Sequence, residues 1–380
     1  MANTNFSSLT TEQLTIWSRD FWRVARNMSF INQFAGMGPN AMVQRIVELT
    51  ESEKGARAVL TLLADMEGDG VVGDNTLEGR EEALRSFDIV VELDQLRFAN
   101  RLAGRLADQK SVVNFREHSR DALAYALADR MDQLAFLALA GIDFKFKNNK
   151  VPFGGSTTAT RPVLATGQNL SDLVFGGSNI TSPTSNRHVQ ISGTDGQITS
   201  TIAEGSLAAT HKVTYETIVN LKALAKDNYI RGIRGAAGEE VFHFFVTPQV
   251  MAGLKTDDAF LANLRSAGVR GPNNEIFAGS SSLMVDGVMV HEFRHVPNTG
   301  GFTSTEVTDD TTILAGSGNN VEVAANLFCG AQALAMADIG LPEIVEDSFD
   351  YGNQHGISIG KIFGIKKPVY RADVTATNEV

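Results

Sequence analysis

Residues 66 to 141 run as an acidic glycine-rich loop, a strand and one long amphipathic helix, and this run restricts the fold more than any other part of the chain. It begins MEGDGVVGDNTLEGREEALRSFDIVVELDQLRFANRLAGR and continues LADQKSVVNFREHSRDALAYALADRMDQLAFLALAG. Phe87, Ile89, Val91 and Leu93 alternate with Asp88, Glu92 and Asp94, the period of a strand with one solvated face; Val90 departs from it. Arg57 to Ala64 is a second short apolar run, so the two strands predict a long hairpin. Residues 65 to 82 hold seven acids (Asp65, Glu67, Asp69, Asp74, Glu78, Glu81, Glu82) against one base, Arg80. Four glycines in the same span predict an irregular loop projecting from the hairpin tip.

The helix is predicted from about Ser111 to Ala140. Leu123, Leu127, Met131, Leu134 and Ala138 keep helical spacing, while Arg116, Glu117, Arg120, Asp121, Asp129 and Asp132 supply polar positions. Thirty residues would span about 45 Å, and Gly141 ends the run. Just before it, Arg97, Arg101 and Arg105 stand four apart. On a helix they form one basic stripe, either a solvated face or one that meets acidic partners, because like charges at this spacing repel slightly. A loop, strand and long helix without pocket chemistry suit contact with further copies of the same chain.

At the N-terminus, Thr10 with Gln13 fits a capping box and predicts a helix over residues 10 to 28. Trp17, Phe21, Val24 and Met28 form its apolar stripe. That stripe packs either on its own core or, as an arm, on a neighbouring subunit. Residues 148 to 206 are rich in Gly, Ser, Thr and Asn and nearly uncharged, which predicts loops and short strands. A second folded region follows. It has helices at about Thr214 to Asp227 and Asp257 to Ala267, and strands at Val241 to Val246, Leu283 to Val296 and Val321 to Phe328. A terminal strand is predicted at Ile357 to Ile365.

Chemistry-bearing motifs are few. His291-Glu292-Phe293-Arg294-His295 matches H-E-x-x-H, but that zinc chemistry needs a helix, where residues four apart stand about 6 Å apart. Here an Asp286-Gly287 turn between apolar runs predicts a hairpin, and Pro297 follows. On a strand the two histidines would lie about 13 Å apart with Glu292 on the other face. Asp65 to Gly70 opens like an EF-hand loop, but its twelfth position is Thr76 where calcium needs a bidentate Glu. The remaining histidines (His118, His188, His211, His243, His355) are scattered and read as structural. The lone Cys329 sits in an apolar run and closes no intrachain disulfide. No catalytic, cofactor-binding or metal-binding residue is assigned.

The net charge of −11 makes tight duplex binding a poor fit, since phosphate neutralisation by Lys and Arg supplies most non-specific affinity. With 43% hydrophobic residues in 380, a sizeable core in about two domains is expected. No signal peptide and no membrane span are visible, so a protein made in the cytoplasm is expected.

Several stretches also resemble a known family. The loop Gly73-Asp74-Asn75-Thr76-Leu77-Glu78-Gly79 with Glu81-Glu82-Ala83-Leu84 resembles the major capsid proteins of N4-like tailed phages. So do Leu93-Asp94-Gln95-Leu96-Arg97, Phe136-Leu137-Ala138-Leu139-Ala140-Gly141, and the final segment from Asp350-Tyr351-Gly352-Asn353 to Ile365-Lys366-Lys367. The resemblance implies an α+β chain with the HK97-like (Johnson) fold. It implies an N-terminal arm at 1 to 50 and an extended loop at 51 to 104. A peripheral domain with the spine helix and the variable segment follows at 105 to 209. Then come an axial domain at 210 to 340 and a return to the peripheral domain at 341 to 380. It further implies self-assembly into pentamers and hexamers of an icosahedral virion shell around double-stranded DNA, assembled in a bacterial cytoplasm. Portal, scaffold and cement proteins would be separate chains. The expected subunit-interface residues are Asp65, Glu67, Asp69, Asp74, Glu78, Glu81, Glu82, Arg97, Arg101, Arg105, Trp17 and Phe21. An encapsulin-like compartment and, more remotely, a zinc hydrolase at residues 291 to 295 are the alternative readings. Some relatives of this fold crosslink through an extended-loop lysine. Between Gly55 and Gln109 this chain has none, so no such crosslink is expected.

Overall fold

Helix propensity and burial run together in the spine of the molecule. The structure, a computed structural model, describes residues 29–47, 57–63, 70–81, 86–110, 115–144, 170–176, 179–183, 187–192, 196–200, 207–208, 210–228, 230–235, 238–267, 282–298 and 323–369. In chain order the first strands are β1 (Ala35–Gly36), β2 (Val43–Ile46), β3 (Arg57–Leu63), β4 (Ser86–Glu92) and β5 (Asp94–Arg101). Helices α1 (Arg105–Lys110) and α2 (Phe115–Ala140) follow, then β6 (Gln190–Ser192), β7 (Gln197–Thr199) and α3 (Tyr215–Asp227). Next come β8 (Ile233–Arg234), β9 (Glu240–Val246), α4 (Pro248–Lys255), α5 (Asp258–Ala267), β10 (Ser282–Val285) and β11 (Val288–Glu292). The chain closes with β12 (Leu327–Cys329), β13 (Leu334–Asp338), β14 (Glu343–Phe349) and β15 (Gln354–Lys366).

Leu123, Leu127, Met131, Leu134 and Ala138 are all buried, as their spacing requires. α2 has 26 residues, about 39 Å at the usual rise. The first positions of the predicted helix, 111–114, lie outside the described residues, and the short helix α1 stands before them. Gly141 ends α2 in the left-handed region at φ +73. Its N–H donates to Ala138 O and that of Ile142 to Leu137 O, the two bonds of a Schellman cap. A Cβ at Gly141 would also meet Thr181 O at 2.7 Å, so only glycine serves here.

Six strands form a sheet in the order β1-β2-β13-β15-β14, with β5 also paired to β15. One face packs on α2, through Ile344, Ile357, Ile359, Phe363 and Ile365. The base of the β3–β4 hairpin packs on the same sheet, joining Ala58, Leu60, Ile89 and Val91 to Ala335 and Ala337. All five residues of β13 are therefore buried, with Leu334 and Met336 in the spine-helix core and Ala335 and Ala337 under the hairpin. The chains cross closely there, since a Cβ on Gly364 would lie 2.2 Å from Glu92 O.

A second sheet has the order β10-β11-β9-β12, with β8 on β9. Its two faces differ. Phe242, Phe244, Val246, Val288 and Val290 pack with Ile218 of α3, Met251 and Leu254 of α4 and Phe260 of α5. Phe245 and Cys329 turn the other way, into the core around α2.

Most predicted elements of the second region are present, with changes at their ends. Thr214 caps α3 in a capping box with Thr217, and β12 is only Leu327–Cys329. The segment from Leu283 is the predicted hairpin, but its second strand stops at Glu292 and residues 294–295 form a turn. Arg97 and Arg101 correct the helical-stripe prediction. Both stand on strand β5, and only Arg105 begins a helix. The residues alternate half-buried and exposed along β5, so a spacing of four still places both arginines on one exposed face. The predicted helix at 10 to 28, with Trp17 and Phe21, lies outside the described residues.

Candidate assembly surfaces

β3 and β4 pair antiparallel from Arg57↔Glu92 to Leu63↔Ser86, which makes the predicted hairpin. Of its acidic tip, Asp65, Glu67, Asp69 and Glu82 lie outside the described residues. Asp74, Glu78 and Glu81 are exposed, and Val72 and Leu77 are exposed beside them. Glu81 accepts a bond from the Gly79 N–H at 2.8 Å. Neither Asp74 nor Glu78 forms an ion pair among the described residues.

Arg97, Arg101 and Arg105 are exposed, and none of them pairs with a carboxylate among the described residues. Arg101 instead lies 4.3 Å from the centroid of the Phe349 ring. Register makes a trough of this face. Arg97, Gly360 and Glu343 form one cross-strand row and Arg101, Gly356 and Asp347 another. Ala99, Ser358 and Val345 lie between them. The floor is glycine and serine, one bank is basic and the other acidic. β14 is the outer edge of the sheet among the described residues.

The two sheets meet α2 at a joint that the sequence did not announce. Asp132 of α2 is buried and accepts from Ser29 Oγ at 2.7 Å, from the Phe30 N–H at 2.8 Å and from the Ile31 N–H at 3.2 Å. Burial pushes its carboxyl up from the ordinary value, against these donors. The tethered segment carries Phe30 and Phe34 between α2 and the five-stranded sheet. Phe30 stacks on Phe293 at 4.1 Å and also lies near Phe136 and Phe245.

The H-E-x-x-H residues part company here. His291 Nε2 faces His243 Nδ1 at 2.9 Å. His295 Nε2 instead faces Asp129 Oδ1 at 2.7 Å, and Arg294 donates to the same oxygen at 2.6 Å. The His295 and Arg294 contacts hold the Asp129 carboxyl down at about 2. Cys329 is buried, and its thiol is pushed up to about 12. Among the described residues no group of three or more His, Cys, Asp or Glu is placed to hold a metal.

Sequence reasoning also missed a buried ion cluster. Asp338 of β13 lies between Lys361 of β15, 2.5 Å away, and Arg45 of β2. The Lys361 side chain is fully buried. No hydrophobic periodicity marks such a lysine in advance, because its counter-charge comes from another strand.

Comparison with known proteins agrees with this architecture. A family model described as phage capsid protein matches residues 5–379. A major capsid protein of Pseudomonas phage KPP25 is 50% identical over 367 residues, covering 97% of this chain and 92% of that protein. The capsid of Ralstonia phage GP4 superposes with a TM-score of 0.65 at 24% identity, over 89% of this chain and 86% of its own. The cyanophage Pam1 capsid does so with a TM-score of 0.66 at 17% identity, over 97% and 92%. With this fold and these relatives, the chain belongs to the phage capsid protein family, a structural and not an enzyme family, and is a major capsid protein of the HK97-like fold in the shell of a virion.

Proposed function

We propose that copies of this chain assemble as pentamers and hexamers into an icosahedral head that encloses double-stranded DNA, and that the hairpin loop of each copy lies on a neighbour. The observation that carries this reading is the mismatch of charge within one subunit. The loop acids Asp74 and Glu78 and the arginines Arg97 and Arg105 are exposed and lack ion-pair partners among the described residues. A second copy supplies the missing partner to both. Each exposed pair contributes only about 0–1 kcal/mol, so the effect comes from repetition over many subunits.

In this reading residues 1–50 are an arm, 51–104 the extended loop, 105–209 and 341–380 the peripheral domain, and 210–340 the axial domain. Trp17 and Phe21 belong to the arm, and Asp65, Glu67, Asp69 and Glu82 to the docking loop. The acidic balance of the chain encloses DNA without gripping it by sequence. A portal and a separate scaffold chain complete the assembly, with a cement protein where one is used. No catalytic step is assigned to the subunit.

The test is charge exchange. Reversing Asp74 and Glu78 to Arg should reduce sedimenting particles severalfold, and reversing Arg97 and Arg105 to Glu in the same chain should restore them in part. Undiminished particles from the first variant would refute the docking. With no lysine between Gly55 and Gln109, boiled particles should run as a single band near 40.9 kDa. A covalent ladder that survives reducing agent would show a crosslink from elsewhere in the chain.

A further inference from the structure

We propose that His243 of β9 and His291 of β11, paired on one face of the five-stranded sheet, form a proton-operated clasp that seats the aromatic segment at residues 29–36. The clasp holds at most one added proton; a second forces the rings apart and frees that segment from the sheet, while Asp129 keeps α2 tied to the turn at residues 294–295.

The geometry sets the limit of one. The two ring nitrogens are 2.9 Å apart, so one must donate and the other accept. Two imidazolium rings would set N–H against N–H and cation against cation at hydrogen-bond distance. The surroundings give no relief. Phe34 lies edge-on to both rings, at 5.0 Å from His243 and 5.1 Å from His291. Phe245 stacks on His291 at 5.3 Å.

The charged groups on the packed elements do not compensate either. Glu292 of β11 stands, by strand alternation, on the opposite face with Val288 and Val290. Cys329 of β12 is the register partner of His243, but its thiol stays protonated. Residues 29–36 contain no titratable side chain. Among the groups of α2, Asp132 is engaged by Ser29, Phe30 and Ile31, and Asp129 by Arg294 and His295. Arg130, also on α2, is a cation and its guanidinium is lowered by burial.

Burial, and then the charge of His243, hold His291 down at about 4, and burial lowers His243 as well. A histidine in the unfolded chain titrates at about 6.5. The contribution of His291 to stability is therefore present above about pH 6.5 and is lost as pH falls through about 4. Asp132 has the opposite sign: its carboxyl is raised, so a proton relieves its burial and does not penalise the fold. The Asp129 contact survives until pH approaches about 2. Acid therefore loosens the seat of residues 29–36 on the sheet and spares the tie from Asp129 of α2 to Arg294 and His295, which makes Asp129 the pivot.

These contacts lie within one chain, so the inference is independent of how subunits dock. Hydrogen–deuterium exchange on the full-length protein, corrected for intrinsic pH effects, should compare about pH 7 with about pH 4. In the wild-type protein, peptides covering 30–36, 240–246 and 288–293 should gain about tenfold or more in exchange on acidification. Peptides of α2 around Leu134 should not. His291→Gln keeps a hydrogen-bonding group but cannot take a proton, and should reduce the gain to about threefold or less. His291→Phe, which suits the neighbouring rings, serves if the Gln variant does not fold. An equal gain in wild type and variant, or no gain in wild type, would overturn the clasp.

Discussion

Residues 131–139 of the spine helix and residues 70–81 of the hairpin loop lie at opposite extremes of burial. All nine of the first set are buried, including Asp132 and Gln133. Of the second set, every residue but Val71 is exposed, including Val72 and Leu77. The helix finds all its partners in its own chain: Phe136 meets Phe30 and Phe245, and Asp132 meets three donors. The loop finds few among the described residues. Exposed apolar side chains interleaved with acids that form no ion pair among the described residues cost a lone subunit little and stabilise it little. The difference teaches that the spine is held by the fold of one subunit, and that the described part of the loop adds little to that fold.

Substitutions can break or sharpen this contrast. The largest effect is expected in the body. Asp338→Asn leaves Lys361 buried without its counter-charge and should cost about 3–5 kcal/mol, read as a loss of soluble subunit or a steep fall in its thermal midpoint. Leu134→Ala, at a fully buried position of α2, should cost about 3 kcal/mol in denaturant unfolding. Thr214→Ala removes the side-chain cap of α3 and should cost about 1 kcal/mol. The smallest effect on the subunit is expected at the loop. The triple change Asp74→Lys, Glu78→Lys, Glu81→Lys should alter subunit stability by less than about 0.5 kcal/mol, yet reduce particle yield severalfold by sedimentation. If the loop variant unfolded the subunit as Leu134→Ala does, the contrast would be wrong. If it left assembly intact, the loop would have no partner.

Much of this architecture was legible before the structure, for one physical reason. Amphipathic period is local, so the spacing Leu123, Leu127, Met131, Leu134 and Ala138 fixed both the helix and its buried face. Alternation did the same for β4, and the Asp286-Gly287 pair for the β10–β11 hairpin. The rejected zinc motif was judged on the same local ground. Strand β13 was not legible, because Leu-Ala-Met-Ala-Asp has helix-forming composition and becomes a strand only between β2 and β15. Helix α4, which begins at Pro248 behind its Thr247 cap, was also missed, although that pair is a local start signal. Arg97 and Arg101 were read as helical because a spacing of four puts residues on one face in either geometry.

The sequence by itself determined the long helix, the hairpin with its acidic tip, the absence of loop lysines and, through its wording, the family. Only the tertiary structure decided which charges are buried and with whom: Lys361 with Asp338, Asp132 with the segment at Ser29, His243 with His291. Each of these pairs joins residues at least 23 positions apart, on different strands or segments. Local pattern carries no record of such a partner. A buried charge or a paired imidazole is set by what the fold brings within hydrogen-bond distance of it, and that distance exists only once the sheets have formed around the helix.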